Sequence, residues 1–238
     1  MRRRLVLTAA AAVVAVVGSG GARLEAAETI ALRTTDGTAL SAVWHAPARL
    51  APAVLLVHML TRSHAEWDLT AQALNASGFG VLALDLRGHG ASEGSISGLG
   101  SMQQDVQAAL DWLKTRPDVL SNRLGITGAS LGATLAVLVA AADPAVRSIA
   151  LLSPAAEYRG LRCEAAMRRF AERSGAVMLV ASTGDPYALR SAHHFEAMGT
   201  GSRDLRVVDG TNAHGTSLLN VRPDLVTSLV DWFRRSLL

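Results

Sequence analysis

Cysteine is nearly missing from this chain: Cys163 stands alone among 238 residues, which excludes an intramolecular disulfide and leaves core packing to hold the fold. Lysine is as scarce, with Lys114 the only one, and the remaining positive charges are arginines scattered along the sequence. Without a basic cluster interleaved with aromatics, a nucleic-acid partner is excluded. Aromatic side chains make up only 4% of residues while apolar ones make up 50%, so Ala, Val and Leu must build the core, as they do in parallel sheets covered by helices. That apolar content excludes disorder, and the lack of any break in composition argues for one domain. Internal repeats and low-complexity tracts are missing outside the first residues.

Those first residues read as a leader. Arg2, Arg3 and Arg4 form a positive segment, and Leu5 to Val17 form an apolar run too short to span a bilayer. The pattern predicts a signal peptide over residues 1–27, cleaved near Ala22 or Ala27, with export to the periplasm or medium and no membrane span once it is removed. The arginine pair also fits a twin-arginine signal. Removing Arg2, Arg3 and Arg4 takes the formal net charge from +3 to 0, so the basic balance belongs to the leader.

The domain, residues 28–238, opens with Thr29 to Arg33 and Leu40 to His45 on either side of Asp36-Gly37, the turn chemistry of an antiparallel hairpin. Short apolar runs then alternate with helical periodicities, the signature of βα units. The predicted strands are Val54 to His58, Gly80 to Asp85, Arg123 to Thr127, Ser148 to Leu152, Val177 to Ala181 and Leu205 to Val208. The predicted helices run over Ala65 to Ser77, Ser101 to Thr115, Leu131 to Ala142, Tyr187 to Met198 and Leu225 to Leu238, with a further one over Leu161 to Arg173 that contains Cys163. An inert thiol is the expectation there.

Gly128-Ala129-Ser130-Leu131-Gly132 matches G-x-S-x-G, in which a tight turn lifts a serine hydroxyl above a sheet. Gly90-Ala91-Ser92-Glu93-Gly94 matches as well, so context must separate them. Ser130 follows the apolar run Leu124 to Thr127 and opens an apolar helix, whereas Ser92 runs on into loop; Ser130 is the candidate nucleophile and Ser92 a turn residue. A serine hydroxyl needs a base, and the base needs an orienting carboxylate. Asp185 sits just past the apolar strand Val177 to Ala181, at the edge where catalytic groups gather in open α/β sheets, and His214 lies in a loop between the last strand and the last helix. Asp185 also suits a helix N-cap, and Asp209 is a rival acid at the end of the strand before His214. His193 and His194 lie on a helix as packing or surface residues, and Trp44, Trp67, Trp112 and Trp232 read as core. Nothing in the chain offers a metal site, a Walker loop or a dinucleotide fingerprint, so no cofactor is expected.

With Ser130, Asp185 and His214 in that order, the chain from about Leu40 onward resembles the α/β-hydrolase superfamily, close to the dienelactone-hydrolase-like and serine-aminopeptidase-like esterases. The resemblance implies a mostly parallel sheet of about eight strands flanked by helices, with the first hairpin antiparallel. Asp85-Leu86-Arg87-Gly88-His89-Gly90-Ala91-Ser92 looks like the family's D-x-R-G-x-G-x-S loop, which makes His89 structural. His58 stands at the family's H-G segment, with Met59 in place of the Gly. By analogy the oxyanion donors are the backbone N–H of Leu131 and that of Leu60, or of Met59. The interval Pro154 to Ala176 has room for one helix, so no large cap and an open site are expected. Its arginines, Arg159, Arg162, Arg168, Arg169 and Arg173, suit either a solvated helix face or a substrate carboxylate. The implied activity is cleavage of a small to medium carboxylic ester. A peptidase or amidase with the same triad, and an exported binding protein without turnover, are the alternatives.

Overall fold

Runs that are apolar at every position make strands buried on both faces, because each face then has a layer of helices to pack against. The computed structural model describes residues 27–199 and 201–238. The predicted leader lies outside the described residues except for Ala27. Eight strands form the main sheet: β1 (Glu28–Arg33), β2 (Ala39–His45), β3 (Ala51–Val57), β4 (Gly80–Leu84), β5 (Val119–Ala129), β6 (Val146–Leu152), β9 (Ala176–Ser182) and β10 (Arg203–Val208). Between β6 and β9 lies a two-strand hairpin, β7 (Glu157–Tyr158) with β8 (Leu161–Arg162). The sheet order is β1-β2-β4-β3-β5-β6-β9-β10; β2 runs antiparallel to β1 and β4, and the remaining pairs are parallel.

Alternation along each central strand divides the core. Leu55 and Val57 of β3, with Val177, Leu179 and Ala181 of β9, face a layer built by α2 (Met102–Thr115), α3 (Leu131–Ala140), α4 (Glu164–Glu172) and α5 (Pro186–Glu196). Val54 and Leu56, with Met178 and Val180, face α1 (Asp68–Ala76) and α7 (Asp224–Leu237); α6 (Ser217–Val221) is a short turn before α7. Every residue of α3 except Leu138 is buried, which explains its all-round apolar sequence.

Several strands begin two to four residues earlier than the sequence reading, and some elements differ from it. The first helix opens as a 3₁₀ turn, His64–Trp67, before α1. β5 begins at Val119, four residues early, because buried Val119 pairs with Ala51 before the exposed stretch Ser121 to Arg123. Cys163 is not inside a helix but caps α4, since Leu161 and Arg162 pair with Tyr158 and Glu157. The β7–β8 hairpin and α6 are too short to leave a periodicity. Together β7, β8 and α4 are all that stands where a cap would be.

Candidate active site

From β3 the chain passes to β4 on one side and, later, to β5 on the other, so the carboxyl ends of β3 and β5 frame a crevice where strand order reverses. Ser130 stands there, at the end of β5 and the start of α3. Its backbone has φ 52° and ψ −113°, a conformation L-residues rarely adopt and one that costs about 1–3 kcal/mol. Packing holds it in place: the Ser130 N–H donates to the Leu152 carbonyl at 2.9 Å, and the residue is 9% exposed. Gly132 is required for a close approach, because a Cβ there would overlap the carbonyl oxygens of Val57 and His58. The elbow is thereby pressed against the loop that carries Met59 and Leu60.

Asp185 and His214 come from the loops after β9 and β10, and backbone bonds join those loops. The Gly184 N–H donates to the Thr211 carbonyl at 2.9 Å, the Thr183 N–H to Val208 at 3.0 Å, and the Ser182 hydroxyl to the Ala213 carbonyl at 2.7 Å. With the loops joined, His214 Nδ1–H donates to Asp185 Oδ2 at 2.5 Å. That bond fixes the tautomer and leaves Nε2 with the lone pair. Asp185 Oδ1 accepts the Ala188 N–H at 3.2 Å, so the carboxylate that bonds His214 also caps α5. His214 is half-exposed and Asp185 mostly covered, at 48% and 16% of their side chains. Gly215, next to His214, touches the Ala129 side of the elbow, and its N–H donates to Ser153 Oγ at 2.8 Å.

Of the two sequence-predicted oxyanion donors, Leu131 directly follows this serine, and Leu60 lies on the loop that continues from the Val57 and His58 carbonyls packed against Gly132. Leu131 is the first residue of α3, where an N–H has no intrahelical acceptor. The Met59 N–H is already engaged by Glu66 Oε1 at 2.8 Å, whereas the Leu60 N–H has no acceptor among the described residues. His58 lies beneath: its Nε2 accepts the Leu86 N–H at 3.0 Å and its Nδ1–H donates to the Met59 carbonyl at 2.6 Å. Burial holds His58 neutral, with its pKa lowered to about 4. His89 repeats the arrangement, accepting the Thr61 N–H at 3.0 Å and donating to the Arg87 carbonyl at 2.9 Å.

Other sequence candidates have structural positions. The Ser92 hydroxyl donates to the Asp85 carbonyl at 2.6 Å and accepts the Ser41 N–H at 2.8 Å, which commits it to the turn. The arginine run is dispersed. Arg162 faces Glu157, Arg168 pairs with Glu164, and Arg173 donates to the carbonyls of Ala140, Asp143 and Val146. Arg159 lies at the β7–β8 tip over the Tyr158 ring. His193 and His194 are exposed on α5. Sequence reasoning missed Glu66, Ser153 and Thr216, which contact the site loops only through the fold. Among the described residues no group of three or more His, Cys, Asp or Glu side chains is placed to hold a metal ion, and no helix is long and apolar enough to cross a membrane.

A serine at a strand-to-helix elbow, an acid and a histidine on later loops, and a mostly parallel sheet with an antiparallel start define the α/β-hydrolase class. Within it the chain belongs to the serine aminopeptidase S33 family, whose model matches residues 48–233 and bears out the resemblance read from the motifs. The uncharacterized protein Rv2307c of Mycobacterium tuberculosis is 33% identical over 140 residues, covering 58% of this chain and 49% of that protein. The chain thus spans about half the length of the curated relatives it matches. Among solved structures, the Pyrococcus furiosus esterase Pf2001 superposes with a TM-score of 0.72 at 20% identity, covering 93% of this chain and 98% of that one. The Anabaena variabilis dienelactone hydrolase does so with a TM-score of 0.69 at 18% identity, covering 90% and 99%. These likenesses show the fold.

Proposed function

We propose that the chain is a serine hydrolase that cleaves a carboxylic ester of a small to medium substrate through an acyl-enzyme. The observation that carries this reading is the Asp185–His214 bond, held on loops packed against the strained turn that presents Ser130. His214 Nε2 takes the proton from the Ser130 hydroxyl as Oγ attacks the acyl carbonyl. Asp185 keeps the imidazole in the required tautomer and balances its charge while it is protonated. The N–H groups of Leu131 and Leu60 receive the oxyanion, and one such donor contributes about a hundredfold or more in rate. His214 then passes its proton to the departing alcohol. A water, deprotonated by His214, attacks the acyl carbon, and the acid leaves with Ser130 restored.

The elbow holds serine instead of the cysteine of dienelactone hydrolases, which favours a carboxylic ester other than a dienelactone as substrate. The absence of a cap between β6 and β9 leaves room for substrates of varied shape at the half-exposed His214. The test is labelling by a fluorophosphonate with the adduct located by peptide mass. An adduct on Ser130 is expected, lost in Ser130→Ala and slowed by at least about a thousandfold in His214→Ala. An unlabelled but folded protein would overturn the reading in favour of a binding role. Turnover of an aryl ester well above that of an aminoacyl anilide is expected, and the reverse would assign a peptidase.

A further inference from the structure

A carboxylate withdrawn from water needs hydrogen bonds to remain charged, and Glu66 finds them on two segments far apart in sequence. Oε1 accepts the Met59 N–H at 2.8 Å, one residue before Leu60. Oε2 accepts the Thr216 hydroxyl at 2.9 Å, two residues after His214. Burial pushes the Glu66 carboxyl up, and those two bonds together with nearby Arg62 oppose it. A second contact runs beside the first: the Met59 thioether lies against Gly215, where a Cβ would overlap its sulfur. The far end of the Met59 loop is anchored separately, with Asp85 Oδ1 accepting the His64 N–H at 2.7 Å and His89 Nε2 accepting the Thr61 N–H at 3.0 Å.

We propose that Glu66 is a positioning residue for the reaction assigned above, tying the Met59–Leu60 peptide to the His214 loop so that oxyanion donor and base meet Ser130 as one unit. The proposal rests on the serine-hydrolase reading. Glu66 touches neither substrate nor Ser130; it acts through Met59 and Thr216. The Met59 side chain, standing where the family has Gly, is the apolar half of the same bridge. A displacement of about 1 Å in such a site costs on the order of a hundredfold in rate, so even modest loosening is measurable.

The test compares Glu66→Ala, Glu66→Gln and Thr216→Val by kcat and KM on p-nitrophenyl acetate and by the rate of fluorophosphonate labelling. Glu66→Ala is expected to lower kcat by about ten- to a hundredfold while KM stays within about threefold. Glu66→Gln, whose amide oxygen still accepts the Met59 N–H, is expected to recover kcat to within about threefold of wild type. Thr216→Val, which keeps Glu66 and removes one end of the bridge, is expected to fall between them; it also decides the matter should Glu66→Ala fail to fold. Unchanged kcat in either disabling variant, or a loss confined to KM, overturns the proposal. If wild-type Ser130 takes no adduct, the hydrolase reading fails and this one with it. If wild type and Glu66→Ala are labelled at equal rates, only the role of Glu66 fails.

Discussion

His58 has no exposure to solvent, and both of its ring nitrogens are engaged by backbone, one as acceptor and one as donor. A second proton would place an N–H against the Leu86 N–H and a charge in the interior, so burial lowers its pKa from 6.5 to about 4. The sign follows from linkage: between those values the unfolded chain binds the proton and the folded one does not. Stability from His58 is therefore fully present above about pH 6.5 and lost as pH falls toward 4, by roughly 3 kcal/mol in all. Urea unfolding at a series of pH values should show this slope in wild type. His58→Gln, whose amide oxygen accepts the Leu86 N–H without titrating, should be less stable at pH 7 but flatter across the window. Parallel profiles for the two proteins would assign the acid sensitivity elsewhere.

Between elements, the D-x-R-G loop is fixed by charge. Arg87 donates from Nε and Nη2 to buried Asp105 Oδ1 of α2, at 2.8 and 2.7 Å, and from Nη1 to Asp36 Oδ2 in the β1–β2 turn at 2.7 Å. Three elements meet on one guanidinium, which with Thr34 holds the Asp36 carboxyl well below the usual carboxylate range. Arg87→Leu should destabilise by about 3–5 kcal/mol because it strands a buried carboxylate, and Arg87→Leu with Asp105→Leu should be less damaging than either alone. A double-mutant cycle by urea denaturation checks this, and additive losses would argue against the coupling. The motif containing Arg87 was legible in the sequence, but its partners were not, since Asp36 and Asp105 enter only through chain reversal and helix docking. The same division runs through the site. Ser130 and Asp185 stand out in the sequence because each follows a strongly apolar strand, β5 or β9, and His214 because it lies in the loop between the last strand and the last helix, in the family's chain order. Glu66 and Thr216 carry no such signal: a Glu on a 3₁₀ turn and a Thr before a short helix look like surface residues until β3 and β10 are placed in one sheet. The β7–β8 hairpin stayed hidden because two-residue strands have no period.

At the scale of the whole molecule, one sheet separates two apolar layers, and with Cys163 the only cysteine no disulfide cross-links them. Chains beyond about 150 residues often unfold through intermediates, so loss of one layer before the other is the physical alternative to a single transition. The central strands argue against it, because adjacent residues such as Leu55 and Leu56 point to opposite layers and neither layer can melt without stripping a strand. Two probes separate the cases. Cys163 is fully buried in the α2–α5 layer, and burial pushes its thiol up to about 12, so it is inert while folded. Trp67 and Trp232 are buried in the opposite layer, and their fluorescence reports it alone once Trp44 and Trp112 are replaced by Phe. Across a urea titration, labelling of Cys163 by a disulfide reagent and the fluorescence change should trace one midpoint. A thiol that becomes reactive at lower urea than the tryptophan change would mean that the α2–α5 layer opens first, carrying with it the helix that Ser130 caps.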